Sequence, residues 1–186
     1  VRVVFCARGS GHRALKWGIM DDKISISQNR NGEQLTLALS GNLNENAEFP
    51  QLDVSGVREV TLDLSGIKML NSVGLRSWLL WIKTFSQKAS LVFVNCPRHV
   101  VDQMNILDGF LPTHARVDTF YVPYFCESCD ETESILAHRG RDFMEGTADT
   151  REGVTLPDER PCPKCQKPME MDVLRDRYFS FLKYRK

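Results

Sequence analysis

The sequence lacks an excess of charge of either sign, because its 186 residues include 24 lysines and arginines and 24 aspartates and glutamates. A protein dedicated to nucleic acids needs a basic surplus for its phosphate contacts, so this balance argues against that class. No stretch approaches the roughly 18 consecutive apolar residues of a membrane-spanning helix. A glycine-rich phosphate loop and a Gly-x-Ser-x-Gly nucleophile elbow are also missing, which disfavours a nucleotide-binding or hydrolytic site.

Histidines are few and do not stand in a catalytic pattern. None of the four is placed to pair with a nucleophilic serine or cysteine: His12, His99, His114 and His138. The sequence therefore predicts no catalytic residues and a protein that is not an enzyme.

The first twenty residues differ in charge from the rest, with four basic side chains and no acidic one. Their apolar run, residues 3–5, is too short for a secretory signal, which needs about 7–15 apolar residues. We expect residues 1–19 to be a disordered leader or a start-site artefact, and the folded protein to begin near Met20 and to be cytoplasmic. The alternative is a basic arm that contacts nucleic acid or a membrane.

Alternating apolar and polar residues predict strands over 23–28, 33–40 and 60–65, the first two joined by a hairpin at Asn31-Gly32. Since this alternation predicts one covered and one polar face, it disfavours a doubly wound fold. Further strands are predicted over 91–95 and 116–122, with helices over 44–52, 72–88 and 98–108. The fold class is therefore α/β: a mixed sheet with helices packed mainly on one face, forming a domain over 20–123.

The helix over 72–88 has the clearest amphipathic pattern, with five apolar residues on one stripe: Leu75, Trp78, Leu79, Ile82 and Phe85. Leu80 and Trp81 fall away from that stripe. We interpret them as an exposed hydrophobic patch for a partner; the alternative is that the C-terminal segment covers them.

A small polar pair, Asn71-Ser72, stands between the strand over 60–65 and this helix. Either residue is suited to cap the helix, a contribution of about 0.5–2 kcal/mol relative to alanine.

The order of short motifs around this pair resembles the STAS domain, the family of anti-sigma-factor antagonists and sulfate-transporter tails. The matching residues are 63–66 (Asp-Leu-Ser-Gly) and 71–75 (Asn-Ser-Val-Gly-Leu), preceded by 39–43 (Leu-Ser-Gly-Asn-Leu). The strand and helix over 92–97 and 100–110 extend the resemblance, which covers about 23–122. Asn71 stands where the family has Asp, and Val73 where it has a second Ser.

In the family's bacterial regulators, the first serine of the motif is phosphorylated by an anti-sigma-factor kinase. The resemblance implies that Ser72 is this site. A phosphate there would lie beside the positive end of the helix and would change the surface that a partner meets. Asn71, Ser72, Leu80 and Trp81 are thus the predicted partner-binding residues.

Two Cys-x-x-Cys pairs follow, Cys126/Cys129 and Cys162/Cys165, with 32 residues between them. Four thiolates in two such pairs are typical of a closed tetrahedral Zn²⁺ site. We predict a zinc-ribbon-like domain over 124–186, with a helix over 131–143, an exposed loop over 146–161 and a packed apolar tail over 173–184. His138 is a possible substitute ligand, and Cys6 and Cys96 are interpreted as incidental.

The chain is predicted to be a bacterial regulatory module that resembles an anti-sigma-factor antagonist. Its predicted partner is an anti-sigma-type serine kinase or another regulator, and phosphorylation of Ser72 is predicted to control whether that partner binds. One alternative is a scaffold or assembly subunit without phosphorylation, in which Ser72 is only part of the helix start. A second is a thiol redox enzyme that uses the Cys-x-x-Cys pairs. Nucleic-acid binding and membrane insertion are not expected.

Overall fold

The computed structural model of the chain describes residues 23–184, so the predicted leader over 1–19 lies outside the described residues. These residues form a mixed α/β fold in which two larger sheets share one hydrophobic core. No helix within 23–184 is long and apolar enough to cross a membrane.

The first sheet has five strands in sequence order, β1 to β5. They are Ser25–Asn31, Gln34–Leu43, Glu59–Leu70, Ser90–Val94 and Arg116–Val117. The β1–β2 pair is antiparallel and turns at Gly32, whose φ of 58° suits glycine, as the Asn-Gly signal predicts. The other neighbours are parallel.

One face of this sheet is covered and the other is open along its first strands. Leu35, Leu37 and Leu39 of β2 are buried, whereas the alternate residues Thr36 and Ala38 are exposed. The prediction of one covered and one polar face is therefore confirmed for this strand.

Two helices contribute the apolar side chains that meet the covered face. They are α1, Ser72–Lys83, and α2, Arg98–Ile106, both shorter than predicted at their C-terminal ends. Trp78 of α1 is fully buried; its ring stacks on Phe110 at 5.2 Å, and its Nε1 donates to the Phe110 carbonyl at 3.3 Å.

The predicted helix over 44–52 is wrong, because this segment is a non-helical loop that runs over α1. Phe49 stacks on Trp81 with ring centroids 4.7 Å apart, and Trp81 Nε1 donates to the Pro50 carbonyl at 2.9 Å. Pro50 lacks the amide donor that a helix interior requires, and the loop instead gains a long-range contact.

The second sheet is antiparallel with strand order β10–β11–β6–β7. Its strands are β6 Thr119–Cys126, β7 Glu131–His138, β10 Glu159–Pro161 and β11 Pro168–Met171. A separate pair joins β8 Phe143–Met144, which precedes the predicted loop over 146–161, to β9 Gly153–Val154 within that loop.

The predicted helix over 131–143 is also wrong, since β7 occupies most of it. The turn after Cys126 reverses the chain, and all eight residues of β7 then pair with β6, from Glu131 opposite Cys126 to His138 opposite Thr119. Thr132 and Ile135 are β-branched residues that suit this pairing.

The predicted strand over 116–122 is divided between the two sheets. β5 belongs to the first sheet and β6 to the second, with Asp118 between them. A parallel bridge from Cys96 to Phe120 continues the contact between the two parts. β6 thus runs across the predicted boundary at 123/124.

The C-terminal tail packs on α2, as its apolar residues predict. It forms α3, Arg175–Tyr178, and a 3₁₀ helix, Ser180–Leu182, whose apolar side chains are buried. Asn105 of α2 holds the tail, because its Oδ1 accepts from the backbone N–H of Phe181 at 2.8 Å and from Ser180 Oγ at 2.7 Å.

The first turn of α1 lies directly against the end of β2. The backbone N–H of Asn71 donates to the Leu43 carbonyl at 2.9 Å. Gly74 is buried one turn on, and a Cβ there would overlap the same carbonyl group. Glycine is required at this position by the close approach of the two backbones.

We expect Gly74→Ala to lower the free energy of unfolding by about 1–3 kcal/mol or more, because the backbone of Leu43 cannot move as a flexible side chain would. Denaturant unfolding measures the change. Gly153→Ala is the matched control, since a Cβ at Gly153 would meet open space, and its expected effect is within about 0.5 kcal/mol. Equal stabilities of the two variants would contradict the close approach.

Candidate metal centre and docking surface

The four cysteines of the two Cys-x-x-Cys pairs come together at the tips of two hairpins. Cys126 ends β6 and Cys129 lies in the turn to β7, while Cys162 follows β10 and Cys165 lies in the turn to β11. All four sulfur atoms lie within 4.8 Å of one another. The pairs thus form one cluster, as their spacing predicts.

The distances within the cluster fit a tetrahedral metal site. Cys126 Sγ and Cys165 Sγ are 3.6 Å apart, and Cys129 Sγ and Cys162 Sγ are 3.9 Å apart. Sulfurs at the corners of a tetrahedron about 2.3 Å from a central ion would be separated by about 3.8 Å. A disulfide requires about 2.05 Å, and all four cysteines are free.

The turn of each pair uses a backbone conformation that glycine usually supplies. Asp130 and Gln166, the residues after Cys129 and Cys165, have φ values of 53° and 61°. Within the turns, the N–H of Cys129 donates to the Cys126 carbonyl at 3.2 Å, and that of Gln166 donates to the Cys162 carbonyl at 2.9 Å. A left-handed non-glycine residue costs about 1–3 kcal/mol, so the surrounding contacts must hold these turns.

The local electrostatics favour a thiolate at one position. Backbone hydrogen bonds from Cys165 and Lys164 lower the pKa of Cys162 to about 7. By contrast, side-chain hydrogen bonding with Cys165 together with burial raises the pKa of Cys129 to about 12. Since thiolates are the metal-binding form, the backbone N–H groups around Cys162 favour the form of this thiol that binds a metal.

An ion pair joins the two hairpin tips beside the sulfurs: Lys164 Nζ contacts the carboxylate of Glu131. Glu131 also raises the pKa of Lys164 through its hydrogen bond, so the lysine remains charged. His138, the substitute ligand considered from sequence, pairs with Thr119 at the far end of β7. It lies about 23 Å along the strand from Glu131 and takes no part in the cluster.

At the second candidate site, Asn71 caps α1. Asn71 Oδ1 accepts from the N–H groups of Val73 at 3.1 Å and Gly74 at 3.0 Å. Its Nδ2 donates to a carboxylate oxygen of Glu45 at 2.7 Å. The backbone N–H of Glu45 and this contact with Asn71 hold the pKa of Glu45 below its usual range.

Ser72 is the first residue of α1 and is exposed. Leu80, two turns further along, has 63% of its surface exposed, so the expected exposure of this residue is confirmed. Two exposed apolar residues near them were missed from the sequence, Met69 at 55% and Val73 at 51%. The separation of seven residues between Val73 and Leu80 is the signal that could have identified Val73, since it places both on one helix face.

The prediction that Trp81 is exposed is wrong, because only 5% of this residue is accessible. Its cover is the loop containing Phe49 and Pro50, rather than the C-terminal segment considered as the alternative. Trp81 therefore packs against this loop and is not part of the exposed face of α1.

Cys96 is fully buried next to the bridge to Phe120, and burial raises the pKa of its thiol. It thus remains a neutral core residue, in keeping with its interpretation as incidental. Among the histidines, His99 contacts the Ile67 carbonyl at 3.0 Å and His114 contacts the Ser86 carbonyl. Cys6 and His12 lie outside the described residues.

The sequence was compared with models of protein families and with curated proteins, and neither comparison gives a match. The cysteine cluster and the exposed start of α1 are therefore the features of the chain that point to a function.

We expect Asn71→Ala to lower the free energy of unfolding by about 0.5–2 kcal/mol, because two amide groups at the start of α1 lose their acceptor. Asn71→Asp keeps the acceptor but places a second carboxylate next to that of Glu45, and the two should repel each other. The double variant Asn71→Asp/Glu45→Gln should therefore be more stable than Asn71→Asp alone. Chemical denaturation of the single and double variants measures both effects. No difference between Asn71→Ala and the exposed-loop control Asn46→Ala would contradict the capping role.

Proposed function

We propose that this chain is a regulatory protein-interaction module of the anti-sigma-factor-antagonist type. In this proposal the first sheet with α1 and α2 forms a STAS-like part that docks a protein partner, and the second sheet with the cysteine cluster forms a zinc-ribbon-like part that shares its core. The observation that carries the proposal is the exposed Ser72 at the first position of α1, with exposed Val73 next to it and exposed Leu80 about two turns further along the helix. A hydroxyl that a kinase can reach thus lies within a surface suited to a partner.

Phosphorylation of Ser72 is chemically compatible with its position. A phosphate would add about −1.5 to −2 charge at the positive end of the α1 dipole. Arg76 is exposed four residues further on, where it is placed to pair with that charge on the helix surface. The fold should therefore tolerate the phosphate, and its main effect should be on the surface that a partner meets.

The proposed partner is an anti-sigma-type serine kinase or another regulator that binds the unphosphorylated form. Asn71 shapes the contact by fixing the start of α1, Ser72 carries the switch, and Leu80 supplies an apolar anchor. The resemblance to STAS domains supports this partner class, and the burial of Trp81 removes that residue from the contact.

Zinc is the proposed occupant of the cysteine cluster. Four thiolates at tetrahedral spacing are typical of structural zinc, and they leave no open position for a substrate. The second sheet has short strands at one edge, β10 and β11. A metal that joins the β6–β7 and β10–β11 turns would hold this edge in place.

A scaffold without phosphorylation is the second candidate, favoured by the core that both sheets share. Residues of the first sheet, such as Leu62, and of the second, such as Phe120, belong to the same buried cluster. A rigid unit of this kind suits an assembly subunit as well as a switch. Dependence of partner binding on the charge at Ser72 separates the two candidates.

For the zinc site, the full chain reconstituted with zinc should hold one zinc per chain by elemental analysis, and Cys162→Ser should lose it. Removal by a chelator should lower Tm by at least about 5 °C, because the metal joins two hairpins. Cys96→Ala is the matched control and should keep the metal, since Cys96 lies outside the cluster. Zinc content well below one per chain in the unaltered protein would reject the site.

For the switch, the full chain and its Ser72→Ala and Ser72→Asp variants are used to capture partners from native cells, with bound proteins quantified by mass spectrometry. Ser72→Ala should retain the regulator, and Ser72→Asp should reduce its recovery by about tenfold or more. Ser27→Asp, at an exposed serine on β1, should have no effect. The same partners with Ser72→Asp as with the unaltered chain would defeat the switch and favour the scaffold.

A further inference from the structure

The outward face of α1 carries a regular stripe of four residues, which we call the α1 stripe: Val73, Arg76, Leu80 and Lys83. All four are exposed. Their spacings of three, four and three residues place them within one arc of the helix, given about 100° of rotation per residue. Apolar and cationic side chains therefore alternate along about 15 Å of helix surface.

The charged residues of α1 itself are all basic. The sequence of α1 includes Arg76 and Lys83 but no aspartate or glutamate, and exposed Lys68 precedes the helix next to exposed Met69. Glu45 is the acid at the start of the helix, and its carboxylate accepts a hydrogen bond from Asn71. The α1 stripe thus presents positive charge between two apolar contact points.

We propose that the α1 stripe binds an acidic amphipathic helix of the partner protein. This inference rests on the proposed docking function of the same surface and adds the chemistry of the partner. Residues at spacings of three and four along a helix face are those that pack against a second helix. Leu or Ile side chains of the partner would contact Val73 and Leu80, and flanking Asp or Glu side chains would meet Arg76 and Lys83.

Binding of an acidic helix predicts that phosphorylation of Ser72 weakens the contact with the partner. Ser72 lies four residues before Arg76, so a phosphate on Ser72 would compete for the Arg76 guanidinium. The remaining negative charge would repel an acidic partner helix. Phosphorylation would therefore release the partner without any change in the fold.

A protein helix fits this surface better than an anionic membrane does. Helices that lie on membranes expose large apolar faces that often include aromatic residues. In α1 both tryptophans, Trp78 and Trp81, are buried instead, and the α1 stripe has only two apolar side chains. Two apolar side chains that alternate with two cations suit contact with a single helix.

The inference can be tested by selecting peptides that bind the full zinc-loaded chain. The peptides come from a displayed library of helix-forming sequences, in which charged and neutral residues are randomised around fixed apolar positions. Selected peptides should be enriched in Asp and Glu beside the apolar positions. Their affinity, measured by fluorescence anisotropy, should fall about tenfold or more with Arg76→Glu/Lys83→Glu and should weaken as salt is raised. The matched control Lys88→Glu/Arg151→Glu reverses two exposed cations outside the stripe and should leave the affinity unchanged.

Enrichment of basic or neutral peptides would overturn the inference, as would binding that is indifferent to Arg76→Glu/Lys83→Glu. Tighter binding to anionic vesicles than to the selected peptides, with the same charge dependence, would overturn it in favour of a membrane surface. Circular dichroism confirms that each variant is folded. Peptide binding that is acidic but insensitive to Ser72→Asp would retain the inference and reject the switch, so the two failures are distinguishable.

Discussion

The arrangement of the proposed docking surface depends on the contact between the start of α1 and the end of β2. Gly74 lets the helix lie directly on the Leu43 carbonyl group, and the Asn71 N–H bonds to that carbonyl at 2.9 Å. This contact sets the rotation of α1 about its axis. Trp78 and Ile82 then face the core, while Ser72 and Leu80 face outward. Both the exposed serine and the alternating stripe follow from one close approach of two backbones.

The cysteine cluster is connected to the hydrophobic core through β6. This strand ends in Cys126 at the cluster, and its first part pairs with Cys96 through Phe120. Tail residues such as Tyr178 reinforce the link, since Tyr178 Oη donates to the Tyr121 carbonyl at 2.5 Å. A metal at the cluster would therefore stabilise a sheet whose residues share one core with the first sheet.

Several local signals predicted their structure correctly, whereas the helices predicted over 44–52 and 131–143 gave way to long-range contacts. The Asn-Gly hairpin, the apolar stripe of α1 and the two Cys-x-x-Cys turns depend on residues a few positions apart. The burial of Trp81 depends on Phe49, more than thirty residues earlier, which no helical periodicity includes. The segment after Cys129 was expected to be helical, but the turn that gathers the sulfurs also forces it to pair with β6.

The most direct test of the account is photo-crosslinking from the outward face of α1. A benzophenone amino acid is placed at Leu80 in the full chain in native cells and, for comparison, at Leu174, which is 75% exposed on the tail. We expect position 80 to crosslink to an acidic helix of one regulator. We expect no such crosslinks from position 174, and we expect those from position 80 to be lost when Ser72 is changed to Asp. Equal crosslinking from both positions, or crosslinks from position 80 that persist with Ser72→Asp, would contradict the account.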